Sequence, residues 1–219
     1  MGMKKTYKGL AVILTIILMF CSIGLVPQEV EAASAKSILK KAYKEMKKSD
    51  TIFYWYEYTY KDNGTLNEAD FGCAITDTSI SHIFDEQEQW HIKSKVYLRN
   101  RWDFTWKVEK TDFDNKTPNK YYGKKMYQYL LKNLKNPRIK KSNKTSYVIV
   151  GTTDINDNKY KSVEITISKK DKRATGFTFK YPDETVTRGG YEHKITKHQF
   201  KVSNICYGKG KLKAPKFKF

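Results

Sequence analysis

Residues 51–60 read TIFYWYEYTY, and every second position from Tyr54 to Tyr60 is a tyrosine. Successive side chains of a β-strand point to opposite faces of the sheet, so this two-residue repeat predicts a strand with one apolar face. The next residues, Asp62-Asn63-Gly64, carry a strong signal for a hairpin turn. The stretch therefore predicts an aromatic strand that pairs with the segment after it in an antiparallel sheet.

Two segments of the chain show a helical spacing of apolar residues instead. Between Ser34 and Lys48 these residues recur at intervals of one, three and four, which predicts an amphipathic helix. A second helix is predicted from Pro118 to about Leu134, because proline suits the first turn of a helix and Asn136-Pro137 ends the pattern. The predicted apolar stripes comprise Ile38, Leu39, Ala42, Tyr43 and Met46 in the first helix, and Tyr122, Met126, Tyr129, Leu130 and Leu134 in the second.

Strand-like alternation recurs over much of the remaining chain. In residues 101–110, Trp102, Phe104 and Trp106 alternate with charged and polar residues, which predicts a half-buried strand. A sheet with one apolar face needs a cover, and the two amphipathic helices are the segments that can provide it. The chain is therefore predicted to be α+β, with one antiparallel sheet and two covering helices. Further strands are predicted at residues 66–75, 79–84, 90–98, 146–152, 160–168, 174–181 and 191–206.

The start of the chain has the composition of an export signal. Lys4 and Lys5 precede an apolar run from Leu10 to Met19, and a polar stretch with small residues follows. The apolar run is short for a membrane span, so we expect cleavage near Ala32, with an uncleaved anchor as the alternative. The predicted organisation is a signal peptide at residues 1–32 and one domain at residues 33–219, secreted or otherwise extracytoplasmic.

The chain is strongly basic, with 42 lysine and arginine residues against 23 aspartate and glutamate residues and a net charge of +19. Outside the cytoplasm such a charge favours contact with polyanions, either anionic cell-wall polymers or the headgroups of a membrane surface. The lysines are scattered along the sequence, so a merely solvated surface is the alternative interpretation. Export makes nucleic acid an unsuitable partner.

The sequence contains no recognisable constellation for catalysis, metal binding or cofactor binding. Its four histidines lack the spacing of zinc motifs, and residues 154–158 begin like a calcium loop but place Lys159 and Ile165 where glycine and a bidentate acid belong. We therefore expect neither an enzyme nor a cofactor. A hydrolase with an unrecognised site is the alternative, and it would require a carboxylate or histidine buried in a cleft. Cys73 and Cys206 both lie in strand-like contexts, where they either form a disulfide or remain separate buried thiols.

The order of elements adds a further indication. A short helix leads into an aromatic strand, residues 146–151 form a strand that ends in glycine, residues 163–170 end in a lysine turn, and residues 200–207 precede Pro215. In these features the chain resembles the lipoprotein-carrier (LolA/LppX-type) half-barrel family, in its exported Gram-positive branch. The resemblance implies a strongly curved antiparallel sheet whose concave face is covered by helices, with an apolar ligand held between them. The large positive charge departs from the carriers, and their arginine positions have no match here.

The aromatic face of the sheet is the candidate ligand site. If the helices leave a gap above it, six side chains would line an apolar pocket suited to a lipid, an acyl chain or a lipidated peptide. If the helices fill that space, the same side chains are core. We therefore predict a non-enzymatic exported protein that binds an apolar small molecule or lipid, and the alternative is a basic module that binds anionic wall polymers or membrane headgroups. The candidate ligand-binding residues are Tyr54, Tyr56, Tyr58, Trp102, Phe104 and Trp106.

Overall fold

The computed structural model describes residues 28–77, 80–84, 88–92, 95–100, 102–110, 123–155, 160–217 and 219. Within these residues the chain forms two helices and twelve strands. In chain order they are α1 (Gln28–Lys48), β1 (Thr51–Asp62), β2 (Thr65–Thr76), β3 (Ile80–Phe84), β4 (Gln89–Ile92), β5 (Lys95–Arg99), β6 (Trp106–Lys110), α2 (Gly123–Asn133), β7 (Lys135–Ser142), β8 (Ser146–Thr152), β9 (Ser162–Ser168), β10 (Ala174–Lys180), β11 (Glu184–Arg188) and β12 (Tyr191–Gly208).

The strands form one sheet in which every pair is antiparallel. Neighbours follow the order β6-β5-β4-β3-β2-β1-β12-β10-β9-β8-β7, and β11 pairs with β12 beside this path. The long strand β12 joins two meanders, because it pairs with β1 on one side and with β10 on the other. The edge strands β6 and β7 do not pair with each other, so the sheet stays open. The predicted α+β half-barrel, with two helices against one antiparallel sheet, is confirmed.

Strand β1 has the alternation that its sequence predicts. Ile52, Tyr54 and Tyr56 are buried, whereas Trp55 is about half exposed on the other side of the sheet. We call the side that carries Tyr54 the helix-covered face and the side that carries Trp55 the outer face. Buried side chains of the helix-covered face and of both helices form one continuous hydrophobic core.

The helices pack on this face through residues at helical spacing. Successive buried positions of α1 are four, three and four positions apart in the sequence. Helix α1 also contacts α2 and β7. The two helices therefore lie side by side over the sheet. Their buried apolar residues are Ala35, Leu39, Ala42 and Met46 in α1, and Tyr127, Leu130 and Leu131 in α2.

The ring of Tyr127 connects α2 to both halves of the sheet. Its centroid lies 5.4 Å from that of Tyr54 on β1 and 4.7 Å from that of Phe177 on β10. Because β12 lies between β1 and β10, this one side chain spans three neighbouring strands. Aromatic side chains bury roughly 150–250 Å² each, so burial of these three rings adds to the hydrophobic stabilisation of the fold.

Helix α2 is also attached to the connection between α1 and β1. Lys124 is only 3% exposed, and its ammonium group donates hydrogen bonds to the backbone carbonyls of Ser49 and Asp50. Burial lowers the pKa of Lys124, and the negative charge of Asp50 opposes that shift. The preceding residue, Gly123, has a φ of +55°, and a Cβ there would lie 2.1 Å from Thr76 Oγ1. This close approach requires glycine.

The structure confirms the strand predicted at residues 101–110 only from Trp106 to Lys110, which form β6. Arg101 lies outside the described residues, and Asn100 and residues 102–105 belong to the tip of the β5–β6 hairpin. Side chains within the tip bend it, because Asn100 and Asp103 each accept a backbone N–H hydrogen bond of 2.9 Å from the residue two positions later. Hydrogen bonds of this kind compete with strand pairing, so Trp102 and Phe104 lie in a turn, whereas Trp106 begins the strand.

Smaller differences concern the ends and the number of elements. The predicted start of the second helix at Pro118 lies outside the described residues. The strand predicted at residues 90–98 forms two strands, β4 and β5. The sequence does not predict β11, nor β7, which contains Pro137 and lies at an edge of the sheet. Proline is tolerated on an edge strand because its missing N–H need not serve a neighbouring strand.

The predicted signal peptide lies largely outside the described residues, and its predicted cleavage near Ala32 falls close to the start of α1. Helix α1 begins at Gln28, six residues before the start that the apolar spacing predicts. In the part of the chain that the structure describes, no helix is both long enough and apolar enough to cross a membrane.

Truncation of the core ring beneath α2 tests this packing. Phe177 is 1% exposed, so Phe177→Ala is expected to lower the free energy of unfolding by about 3–5 kcal/mol through lost burial and a cavity. Phe71 is 63% exposed, so the matched change Phe71→Ala should alter it by less than about 0.5 kcal/mol. Urea unfolding followed by circular dichroism measures both, and equal losses would contradict the assignment of Phe177 to the core.

Candidate functional site

The six candidate ligand residues fall into two groups that the structure does not bring together. Tyr54, Tyr56 and Tyr58 lie on β1, whereas the other three lie in and beside the β5–β6 hairpin tip. Strand β6 is the fifth strand away from β1, which corresponds to about 24 Å at the usual strand spacing. Trp102 is 91% exposed and Phe104 is 63% exposed. Among the described residues, these six side chains do not line one pocket.

Packed rings occupy the space between β1 and the helices. Tyr54 contacts Tyr127 edge-on, and the ring centroids of Tyr56 and Phe200 lie 5.8 Å apart. Burial raises the pKa of Tyr54. Tyr54 and Tyr56 therefore belong to the core beneath the helices, where they support the fold, and a direct contact with ligand stays a prediction that this packing disfavours.

A cleft of about 350 Å³ lies between the two helices instead. Its floor is apolar and buried, and its rim carries exposed ammonium groups. No carboxylate, histidine or thiol belongs to the described residues that line it. The floor comprises Leu39, Leu131 and Leu134, and the rim comprises Lys36, Lys40, Tyr43 and Lys132.

Helical geometry explains how these side chains come together. Residues three and four positions apart share a face of a helix, so Lys36 and Lys40 flank Leu39 on the side of α1 that meets α2. On the other wall, α2 ends at Asn133, and the N–H of Leu134 donates a 3.0 Å hydrogen bond to the carbonyl of Leu130. This bond continues the helical path by one residue and holds Leu134 at the end of the floor.

The cleft has the chemistry of a site for an anionic amphiphile. Lysine side chains lay their methylene stems along apolar surface while the ammonium group stays in water. The hydrocarbon part of a ligand would displace water from the leucine floor, and an acidic headgroup would form charge-assisted hydrogen bonds with the rim. Leu39 and Leu131 supply the apolar part of such a site, and Lys36, Lys40 and Lys132 supply the polar part.

Sequence reasoning missed this cleft. The spacing of Lys36 and Lys40 around Leu39 was a usable signal, but lysines on an amphipathic helix are ordinarily solvated. The opposite wall comes from α2, far along the chain, and no local pattern shows which faces of two helices meet.

A second cluster of polar groups surrounds His198 on β12. Its Nε2 forms a hydrogen bond with the hydroxyl of Tyr58, and the ring of Tyr181 stacks on the imidazole at 4.0 Å between centroids. Glu184 Oε1 lies 3.9 Å from Nδ1. Burial lowers the pKa of His198, although the charge of Glu184 opposes this, and burial raises the pKa of Tyr181. The neutral imidazole is therefore favoured and serves as a hydrogen-bond partner of Tyr58.

Cys73 and Cys206 are free thiols. Cys73 on β2 pairs with Trp55, and Cys206 on β12 pairs with Phe53, so β1 lies between them. Two strand spacings separate their backbones by roughly 10 Å, whereas a disulfide needs Cα atoms within about 7 Å. Cys206 is also exposed rather than buried. Across the described ranges, no three His, Cys, Asp or Glu side chains are grouped to hold a metal ion.

Comparison with known proteins finds similarity at the level of fold. No family model and no curated protein matches the sequence. The structure of LprF from Mycobacterium bovis matches with 10% identity and a TM-score of 0.45, covering 84% of this chain and 97% of that one. A LolA superfamily protein from Nitrosomonas europaea matches with 10% identity and a TM-score of 0.33, covering 83% and 94%. A putative outer membrane lipoprotein-sorting protein domain from Vibrio parahaemolyticus matches with 11% identity and a TM-score of 0.37, covering 80% and 93%.

These structures include the lipoprotein-carrier type that the sequence resembles. At such identities and TM-scores the likeness concerns the arrangement of helices and strands, and no ligand or activity follows from it.

The environment of His198 predicts a pH dependence of stability. Its pKa in the folded protein lies below the ordinary value of about 6.5, so the unfolded chain binds the proton more readily. The stabilising effect of the neutral ring is present above pH 6.5 and is lost as the pH falls through the folded pKa. The free energy of unfolding should therefore fall between pH 7 and pH 5, and it should fall less steeply in His198→Gln. His193→Gln is the control, since the His193 ring contacts Asp62 away from this cluster. Urea titrations at each pH measure the slopes, and an unchanged slope in His198→Gln would contradict the assignment.

Proposed function

We propose that the protein is an exported, non-enzymatic binding protein that holds an anionic amphiphile in the cleft between α1 and α2. One observation carries the proposal, namely that a floor of three buried leucines adjoins a rim of three exposed lysines. A fatty acyl chain with a carboxylate or phosphate headgroup has the matching chemistry, as has the acylated end of a lipidated peptide. We place the ligand at the seam between the helices because, beneath α2, the ring of Tyr127 already packs against Tyr54 and Phe177.

The size of the cleft sets how a ligand is held. Its volume of about 350 Å³ lies near the lower end of the roughly 300–1,000 Å³ range of small-molecule sites. A long chain would therefore be only partly enclosed. Burial contributes about 0.8 kcal/mol per methylene group, whereas an exposed ammonium contributes at most about 1 kcal/mol. The leucine floor supplies most of the affinity, and the rim supplies the preference for an acidic headgroup.

The ionisable groups elsewhere support a binding role over catalysis. Glu164 accepts hydrogen bonds from Lys140 and Lys180, and these bonds lower its pKa despite partial burial. Lys124 is held by two backbone carbonyls. Each of these groups is engaged in joining strands or helices, and none of them lines the cleft.

Removal of residues 1–32 on export belongs to the same proposal, because it leaves every residue of the cleft in the mature protein.

Native mass spectrometry of the exported protein from its own host tests the proposal directly. We expect a species heavier than the mature chain by one bound ligand, and an acidic lipid in the solvent extract of the same sample. Protein that emerges without a bound molecule, and that also fails to bind a fluorescent fatty acid when offered, would refute the cleft as a ligand site.

Charge reversal at the rim tests the site itself. Lys36→Glu/Lys40→Glu should weaken binding of a fluorescent fatty acid by about tenfold, and the loss should shrink at high salt, because the lost attraction is electrostatic. Lys41→Glu/Lys44→Glu is the matched control, since it changes the net charge equally on α1 without touching the cleft. Fluorescence titration measures both. Equal losses in the two variants would show a general charge effect and contradict the assigned site.

A further inference from the structure

The tip of the β5–β6 hairpin presents two large aromatic side chains to solvent. Trp102 is 91% exposed and Phe104 is 63% exposed. Beside Phe104, Asp103 accepts hydrogen bonds from both the N–H and the hydroxyl of Thr105. The guanidinium group of Arg99 lies 5.1 Å from the centre of the Phe104 ring. Exposed rings held in this way are the mark of an interaction surface rather than of loose packing.

The aromatic surface continues from the tip onto the segment that follows β12. Phe217 lies edge-on to Trp106 at 4.8 Å between centroids and stacks on Tyr97 at 3.9 Å. Phe219 is exposed beside them, with its centroid 6.4 Å from that of Tyr97. We call this surface the aromatic corner. It consists of Tyr97, Trp102, Phe104, Trp106, Phe217 and Phe219.

Positive charge dominates the strands and the segment that form the corner. Among their described residues and the adjoining Glu88, eight are cationic and three are acidic. Glu88 pairs with Arg99, Glu109 pairs with Lys107, and Asp103 accepts hydrogen bonds from Thr105, so the excess charge resides in the other lysines. The cationic residues are Lys95, Arg99, Lys107, Lys110, Lys209, Lys211, Lys213 and Lys216, and the acidic residues are Glu88, Asp103 and Glu109.

We propose that the aromatic corner docks the protein onto the surface of an anionic lipid membrane. Trp102 and Phe104 enter the headgroup region, where amphipathic and aromatic rings are favoured, and the surrounding lysines meet lipid phosphates. A soluble anionic polymer would bind the cationic side chains but would not require the exposed rings. A second copy of this chain is disfavoured because two such cationic surfaces repel each other. The corner shares no residue with the cleft between α1 and α2, so either proposal can fail alone.

Co-sedimentation with vesicles tests the docking. The protein should bind vesicles of phosphatidylglycerol and phosphatidylcholine more tightly than vesicles of phosphatidylcholine alone, and salt should weaken this binding. Trp102→Ser/Phe104→Ser should weaken it by at least about tenfold, since both rings leave the lipid interface. Trp102→Phe keeps an apolar ring and should retain binding.

Leu66→Ser provides the matched control. Leu66 is 67% exposed at the β1–β2 hairpin and lies outside the corner, so its removal should leave vesicle binding unchanged. Vesicles with brominated acyl chains provide a second readout. They should quench the tryptophan fluorescence of the wild-type protein, and less quenching is expected from Trp102→Phe, because Trp102 is the tryptophan placed in the lipid.

Several results would overturn the proposal. They are equal binding to neutral and anionic vesicles, an unchanged affinity in Trp102→Ser/Phe104→Ser, and an equal loss in Leu66→Ser. Long-chain inorganic polyphosphate is the probe for the polymer alternative. If the protein binds polyphosphate tightly, loses this binding in Trp102→Ser/Phe104→Ser and does not bind vesicles, the corner is a polymer-binding site. Sedimentation velocity identifies the remaining alternative, since a dimer that the double substitution dissociates would assign the corner to a second copy.

Discussion

Tyr127 fills the space between Tyr54 on β1 and Phe177 on β10, and all three rings are buried. Because β12 separates those two strands, the contact fastens α2 across the junction between the two meanders of the sheet. The position of α2 then places Lys124 beneath the connection between α1 and β1, where its ammonium group binds two carbonyls. The relative arrangement of both helices and the sheet thus depends on one buried aromatic contact and one buried lysine.

The cleft is a consequence of that arrangement. Protein interiors pack as densely as organic crystals, and beneath α2 the ring of Tyr127 packs against both Tyr54 and Phe177. Among the described residues, a cleft lies at the seam between α1 and α2, with Leu39 in one wall and Leu131 in the other. Lysines at the borders of two amphipathic helices necessarily gather along such a seam, since the apolar stripes turn inward. An apolar floor with a cationic rim therefore arises from the same periodicity that builds the core.

The excess positive charge has different surroundings in different parts of the protein. In the sheet, Glu164 accepts hydrogen bonds from both Lys140 and Lys180, so one carboxylate is shared by two ammonium groups. This sharing joins strands and leaves an excess of positive charge. In the cleft the lysines border a recessed apolar surface, whereas at the aromatic corner they belong to the same strands and segment as protruding rings. The two surfaces suit different tasks, enclosure of one molecule in the first case and contact with an extended interface in the second.

Much of the fold follows from local pattern in the sequence. The two-residue repeat at 51–60 and the spacing of apolar residues in α1 identify the central strand and the first helix, since burial on one face imposes those periods directly. The strand predicted at residues 101–110 begins only at Trp106, because the side chains of Asn100 and Asp103 accept backbone hydrogen bonds that bend the chain before it. A pattern of hydrophobic residues does not show such bonds. β7 was missed because its place at a sheet edge, which accommodates Pro137, is set by pairing with β8.

The sequence by itself determined the fold class of the protein, its central aromatic strand and its basic character, because each of these resides in composition or in short-range period. Only the tertiary structure decided which tyrosines became core, that Cys73 and Cys206 stand on either side of β1, and where free volume remains. Those outcomes depend on contacts between segments far apart in the chain, such as Tyr54 with Tyr127, and on which faces of α1 and α2 border the cleft. Contacts between distant segments leave no repeating pattern in the sequence. They are therefore decided only when the helices pack on the sheet.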